Sequence, residues 1–283
     1  MQSLTNISEI KDLLSRHGFS FSKALGQNFL INPSVCPRMA MSCGADENTG
    51  VLEIGPGIGV LTRELAKVAA RVAAIEIDGR LLPVLNETLA GYDNISLIHG
   101  DVMELDLQGI INREFGGMRT VICANLPYYI TSPILMKLLE SRLPVDSITV
   151  MVQKEAADRI CAKPGTRECG AVTLAVWYYS EPQKLFPVSR GSFMPAPNVD
   201  SAVIRLNIRK NPPCEVKDEK AMFRLIKAAF GQRRKTLPNS LMGAGLSRDE
   251  AISLLDAAGI PRQARAEQLT LEQFAELANI MSV

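Results

Sequence analysis

The chain has 283 residues, 47% of them hydrophobic, with 31 Lys and Arg against 30 Asp and Glu and a net charge of +1. That length allows about two domains, each with its own buried core, and the charge balance excludes a wholly basic or wholly acidic polyelectrolyte. Six cysteines without a CxxC spacing and only two histidines, His17 and His99, argue against a structural zinc site, and no unbroken apolar run reaches the roughly 18 residues of a membrane span. The amino terminus lacks a basic region followed by an apolar core, so the expectation is a cytoplasmic monomer with reduced thiols, no metal and no membrane.

Ile7 to Leu14 has the spacing of a short amphipathic helix capped by Asn6 or Ser8, and a loop from Phe19 to Asn32 follows. Val51 and Leu52 run into Glu53-Ile54-Gly55-Pro56-Gly57-Ile58-Gly59, after which Leu61, Leu65 and Val68 recur at helical spacing. The order is strand, tight turn, helix. Glycines at such a turn let backbone approach a ligand and take left-handed dihedrals cheaply. The spacing is GxGxG rather than GxGxxG and the helix after it has no basic residue near its start until Arg63, so a cofactor without phosphates fits better than a dinucleotide.

Val72 to Ile75 ends in Glu76, near the roughly 20-residue offset at which an acid takes ribose hydroxyls. Ile95 to Ile98 precedes Asp101, and Val121 to Ala124 delivers Asn125. Ligands of open parallel sheets sit outside the carboxyl ends of the strands, so these polar residues are predicted to converge on one crevice. Singly, a glycine cluster is most often a plain turn and an acid after a strand a cap or a solvated loop residue. The combination carries the signal. Asn125-Leu126-Pro127-Tyr128 then offers a side-chain oxygen, a backbone carbonyl and an aromatic face to a planar amine, in a turn that Pro127 stiffens.

Ser147 to Val152 is a predicted fifth strand followed by an amphipathic helix, and the apolar stretch from Ala171 to Trp177-Tyr178-Tyr179 reads as helical core. Lys184 to Val188 and Ala202 to Ile208 are predicted sixth and seventh strands joined by a loop carrying Phe193. The spacer Arg209 to Glu215, with Pro212-Pro213, marks a boundary between a catalytic domain, residues 1–210, and a helical domain, residues 211–283. Helices are predicted over Ala221 to Phe230, Leu237 to Met242, Arg248 to Ala258 with Ser247 as cap, and Leu271 to Ile280 with Thr270 as cap. From Lys184 to Ser240 twelve Lys and Arg stand against four Asp and Glu, the asymmetry that a nucleic-acid surface requires.

The strings VLEIGPGIGVLT and NLPYYITSPIL, with KALGQNFLIN at 23–32, FMPAPNVDSAVIRL at 193–206 and FGQRRKTLPNSL at 230–241, resemble the S-adenosylmethionine-dependent methyltransferases that modify adenine. Among these the chain is most similar to the ribosomal RNA adenine dimethyltransferases, in their bacterial small-subunit (16S) branch, and the match covers nearly its whole length. The resemblance implies an α/β fold: a Rossmann-like seven-stranded methyltransferase sheet with a small C-terminal all-helical domain. It also implies an S-adenosylmethionine site in which Gly55, Gly57 and Gly59 cradle the cofactor, Glu76 takes its ribose and Asp101 its adenine amine. Asn28, Leu30 and Asn125 complete that set, the first two from the Gln27 to Leu30 segment that closes over the pocket. For the target base, Asn125 and the Leu126 carbonyl would hold the amine, Tyr128 and Phe193 would stack on the ring, and Arg233, Arg234 and Lys235 would reach RNA phosphates. The implied partner is 16S rRNA in the assembling small subunit, modified at two adjacent adenines of its 3′-terminal hairpin. Two alternatives stay open: a large-subunit methyltransferase of the macrolide-resistance type, against which VDSAVIRL and GQRRKTLPNSL speak, and an RNA-binding assembly factor whose catalysis is secondary.

Overall fold

The computed structural model describes residues 4–22 and 26–281, so Lys23, Ala24 and Leu25 of the KALGQNFLIN segment lie outside the described residues. The chain opens with α1 (Ile7–Arg16), whose first turn is capped by the Asn6 side chain accepting from the Ser8 amide at 3.0 Å, and continues to the short strand β1 (Phe29–Leu30). After α2 (Val35–Ser42), strands and helices alternate: β2 (Thr49–Ile54), α3 (Val60–Val68), β3 (Arg71–Glu76), α4 (Leu82–Leu89), β4 (Ile95–His99), α5 (Leu107–Phe115), β5 (Arg119–Asn125), α6 (Thr131–Glu140) and β6 (Ser147–Gln153). Then come α7 (Lys154–Ile160), α8 (Ala171–Tyr179), β7 (Ser180–Val188), a second short strand β8 (Phe193–Met194) and β9 (Ser201–Ile208). Four helices follow, α9 (Glu219–Gly231), α10 (Leu237–Ser240), α11 (Arg248–Ala257) and α12 (Leu271–Met281).

Seven strands form one sheet in the order β4-β3-β2-β5-β6-β9-β7, a Rossmann-like arrangement. β3 pairs with β4, β2 with β3 and β5, and β5 with β6, all parallel; β9 runs antiparallel to β6. All six residues of β2 are buried, the continuous burial of a strand covered on both faces. One core cluster joins Val51, Val121 and Val203 of the sheet to Met39 of α2 and Leu65 of α3; a second joins Ile10 and Leu13 of α1 to Val84 and Leu85 of α4. Each such side chain contributes roughly 1.5–3 kcal/mol by leaving water. β1 and β8 form a separate antiparallel pair, with Leu30 opposite Phe193. Thus a strand lies in the segment expected as a plain loop.

The chain divides into two compact units, Met1–Ala157 with Gln183–Ile208, and Asp158–Pro182 with Arg209–Val283. The division near residue 209 lies close to the Pro212-Pro213 spacer, but residues 158–182, assigned by sequence to the catalytic domain, cluster with the helices. The reason is local packing: Tyr178 and Tyr179 are 3% and 8% exposed and stand against the Phe223 ring of α9, at 5.4 and 5.6 Å between centroids. Their hydroxyls both donate to the Glu219 carboxylate, at 3.1 and 2.5 Å. In this unit Ser247 and Glu250 form a reciprocal capping box on α11, and Thr270 caps the start of α12 together with Gln273.

Candidate active site

Register decides what meets at the carboxyl edge of the sheet. Ile54 pairs with both Ile75 and Ala124, and Ile75 with Ile98. The next residues, Gly55, Glu76, Asn125 and His99, therefore occupy one row across four strands, with Asp101 two residues beyond. A cavity of about 90 Å³ opens on this row, lined among others by Gln27, Asn28, Gly55, Glu76, Asn125 and Tyr128. A neighbouring cavity of about 100 Å³ shares Gly55, Ile77 and Pro127 with it and adds Asp101, Tyr129 and Ile134. Gly55 links the two.

The three glycines of the turn all have positive φ, but they do three different things. A Cβ on Gly55 would meet nothing closer than the Asn125 carbonyl at 4.0 Å, so its face is free for a ligand. A Cβ on Gly57 would press the Phe29 ring at 3.3 Å, and one on Gly59 would meet Leu89 at 3.0 Å and Thr88 at 3.2 Å. Gly59 thus leaves room for the close approach of α4, and unlike Gly55 and Gly57 it lines neither cavity.

Glu76 is 5% exposed and receives the Asp78 amide on Oε1 at 2.8 Å and the Gly57 amide on Oε2 at 3.3 Å. Burial pushes its carboxyl up from the ordinary range, while the two amides pull it back. Asp101 accepts the Met103 amide at 2.8 Å, and Lys137 of α6 ties the same loop by donating to the Met103 carbonyl at 2.5 Å. Leu126, 1% exposed, donates its amide to Met151 at 3.3 Å, and Thr131 donates to the Pro127 carbonyl at 3.1 Å. The acceptor segment is therefore pinned from both sides. The Tyr128 hydroxyl is hydrogen-bonded to buried Ser201 at 2.5 Å, and burial raises the phenol above its usual value.

A model of the family described as ribosomal RNA adenine dimethylase matches residues 18–282. The chain belongs to this family. It is 50% identical to ribosomal RNA small subunit methyltransferase A of Geobacillus thermodenitrificans over 276 residues, which covers 96% of this chain and 94% of that one. Identity to the protein of the same name from Bacillus cereus strain B4264 is 46%, with 99% and 98% covered. Among solved structures, the 23S rRNA methyltransferase ErmE superposes with a TM-score of 0.68 at 29% identity, covering 90% of this chain and all of that one. A dimethyladenosine transferase from Plasmodium falciparum superposes with a TM-score of 0.71 at 24% identity, over 88% and 95% of the two chains, and shows the shared fold.

This adenine dimethylase is an S-adenosylmethionine-dependent methyltransferase, and its site suits that cofactor. Gly55 leaves open a face that a side chain would fill, and the acids Glu76 and Asp101 accept from hydroxyls and amines where a phosphate would be repelled. Among the described residues no basic side chain lines either cavity. Asn28 lines the first cavity and holds the Gly26 carbonyl at 3.0 Å, whereas Leu30, 4% exposed, packs in the core. Phe193 departs further from expectation. It is 3% exposed in the cluster with Leu30, because pairing of β8 with β1 turns its ring inward, and it lines neither cavity. Arg233, Arg234 and Lys235 are exposed in the turn after α9, and Arg233 donates to the Arg167 and Cys169 carbonyls, both at 3.1 Å. Its guanidinium braces a loop, while Arg234 and Lys235 are the more available cations of the three. Sequence reasoning passed over Asp78, Ile77, Tyr129 and Lys137; for Asp78 alone a signal existed, the Asp-Gly-Arg turn directly after the ribose acid.

One buried acid stands apart. Glu53 in β2 is 1% exposed, and neither carboxyl oxygen has a hydrogen-bond partner. Burial raises its carboxyl to about 8, with the nearby Glu76 charge adding to the effect; Thr62 pulls the other way but completes no hydrogen bond with it. Glu53 is a neutral acid inside the core at neutral pH.

Proposed function

We propose that the enzyme dimethylates the N6 amines of two adjacent adenines in the 3′-terminal hairpin of 16S rRNA during small-subunit assembly. The observation that carries this reading is the Asn125-Leu126-Pro127-Tyr128 segment, held rigidly on the strand-end row it shares with Gly55 and Glu76. Identity of 46–50% to small-subunit methyltransferases against 29% to a 23S enzyme supports the choice of subunit.

An adenine amine is a poor nucleophile because its lone pair is delocalised into the ring. Asn125 Oδ1 and the Leu126 carbonyl can accept its two hydrogens, which turns the lone pair out of conjugation and fixes its direction. Bound S-adenosylmethionine supplies an electrophilic methyl on a cationic sulfur. Tyr128, anchored through Ser201, offers the stacking face, worth roughly 1–3 kcal/mol per base and enough to offset part of the cost of extruding it. Among the described residues, the first cavity's ionisable groups are Glu76, engaged by two amides, and a phenol raised by burial, so neither is poised as a base. Placement of the amine within about 3–3.5 Å of the methyl carbon would supply the acceleration. As nitrogen–carbon bonding develops the sulfur–carbon bond would break, its electron pair staying on sulfur as a neutral thioether, and the amine proton would leave afterwards.

The test supplies tritiated S-adenosylmethionine with under-methylated small subunits and, separately, with large subunits. Label in small-subunit rRNA at N6 of adenine is expected. Label confined to large subunits overturns the choice of substrate, and no label with cofactor binding confirmed overturns the reaction.

A further inference from the structure

Gln27 faces the ligand cavity, yet both ends of its amide are engaged by protein. Its Oε1 accepts the Ser22 amide at 2.9 Å, and its Nε2 donates to Asp78 Oδ2 at 2.8 Å. Asp78 is 6% exposed and makes two further connections. Its backbone amide donates to Glu76 Oε1 at 2.8 Å, and its carboxylate receives the Arg80 guanidinium at 2.8 and 2.7 Å. Arg80 lies 5.2 Å over the Phe19 ring, and Phe19, Phe21 and Phe29 form one aromatic cluster with centroids 5.1 to 6.1 Å apart. Phe29 in turn touches the space left by Gly57. Asp78 therefore connects the segment carrying Gln27, Asn28 and Phe29, through its carboxylate, to the acid assigned to the ribose, through its backbone amide.

We propose that Gln27 and Asp78 are positioning residues that clasp residues 26–29 against the cofactor cavity and link their placement to the orientation of Glu76. The amide of Gln27 matters for its donor end. A carboxylate there would keep the acceptor for Ser22 and set a negative charge against Asp78. Among the described residues, the charged or titratable groups around Asp78 are Arg80 on the next turn, Glu76 two residues upstream on β3, and His99 of β4, whose ring stands against Gly79. Arg80 first, and then Gln27, hold the Asp78 carboxyl down at about 2, so Asp78 stays ionised at every working pH. A Glu at position 27 facing it loses its charge as pH falls and regains a proton to donate.

The experiment measures S-adenosylmethionine affinity calorimetrically, without rRNA, so its outcome is independent of which subunit is the substrate. Gln27→Glu is expected to weaken binding about tenfold at pH 8, as befits loss of a hydrogen bond to a charged group, and the ratio to the wild-type chain should shrink to about threefold or less at pH 5. In an Asp78→Asn background the same change should cost less than about threefold, because the repulsion is gone. At saturating cofactor the turnover of Gln27→Glu should return close to the wild-type value, with the loss confined to the cofactor KM. Gln27→Met, which removes both hydrogen bonds without adding charge, should weaken binding at all pH values alike. Equal penalties with and without the Asp78 charge, a Gln27→Glu penalty that does not change with pH, or unchanged affinity in folded variants overturns the proposal.

Discussion

Asn125 ends β5 beside Gly55, and truncating it removes one of the two acceptors that we assign to the target amine. Asn125→Ala is expected to cut turnover by on the order of 10²-fold or more, the usual loss for a positioned transition-state hydrogen bond. Cofactor affinity, which we assign mainly to Gly55, Glu76 and Asp101, should stay near the wild-type value. Single-turnover methylation of small subunits together with calorimetric cofactor binding separates the two, and unchanged turnover refutes the role. Asn125, Glu76 and Asp101 were legible in the sequence because each directly follows, or nearly follows, an apolar strand. The burial of Phe193 was not legible, because its neighbours suggested an exposed loop. The pairing of β8 with β1, across more than a hundred residues of chain, is what buries it.

At the scale of the element, β2 carries an acid in the middle of a fully buried strand. Glu53 has a folded-state value of about 8 against an ordinary value of 4.5, so the folded chain holds its proton more tightly than the unfolded one. Its contribution to stability is complete below about pH 4.5 and is lost as pH rises towards 8, on the order of a few kcal/mol in all. Glu53→Gln keeps shape and neutrality, so the stability difference between variant and wild type should move in the variant's favour from pH 4.5 to pH 8. Urea midpoints measured without cofactor at both pH values check this, and a difference that does not change with pH rules it out. The alternation of strand and helix was legible because burial on both faces demands apolar runs, and β2 to β6 follow those runs closely. Less legible were residues 158–182. Tyr178 and Tyr179 read correctly as core, but nothing in their spacing says that the ring they meet is Phe223.

At the scale of the whole molecule, near-neutral net charge conceals a basic stretch from Lys184 to Ser240. If Arg234 and Lys235 each meet one phosphate, the double change to Ala should lower the salt dependence of RNA affinity by roughly 1.4 in log–log slope, at about 0.7 per phosphate on single strands. Filter binding to the small subunit across a salt series measures this, and an unchanged slope removes both residues from the interface. Arg233→Ala should act differently, because it frees the carbonyls of Arg167 and Cys169 and so reaches RNA affinity through the loop they belong to.

The sequence by itself determined the family, the strand-end acids, the glycine turn and the Asn-Leu-Pro-Tyr segment, since these are contiguous patterns whose backbone requirements are met within a few residues. Only the packed structure reveals which glycine leaves an open face, that Phe193 is buried, and that Gln27 meets Asp78 across 51 residues of chain. Those outcomes depend on the packing of one element against another, and a hydrogen bond between distant side chains leaves no periodicity in the chain that carries them.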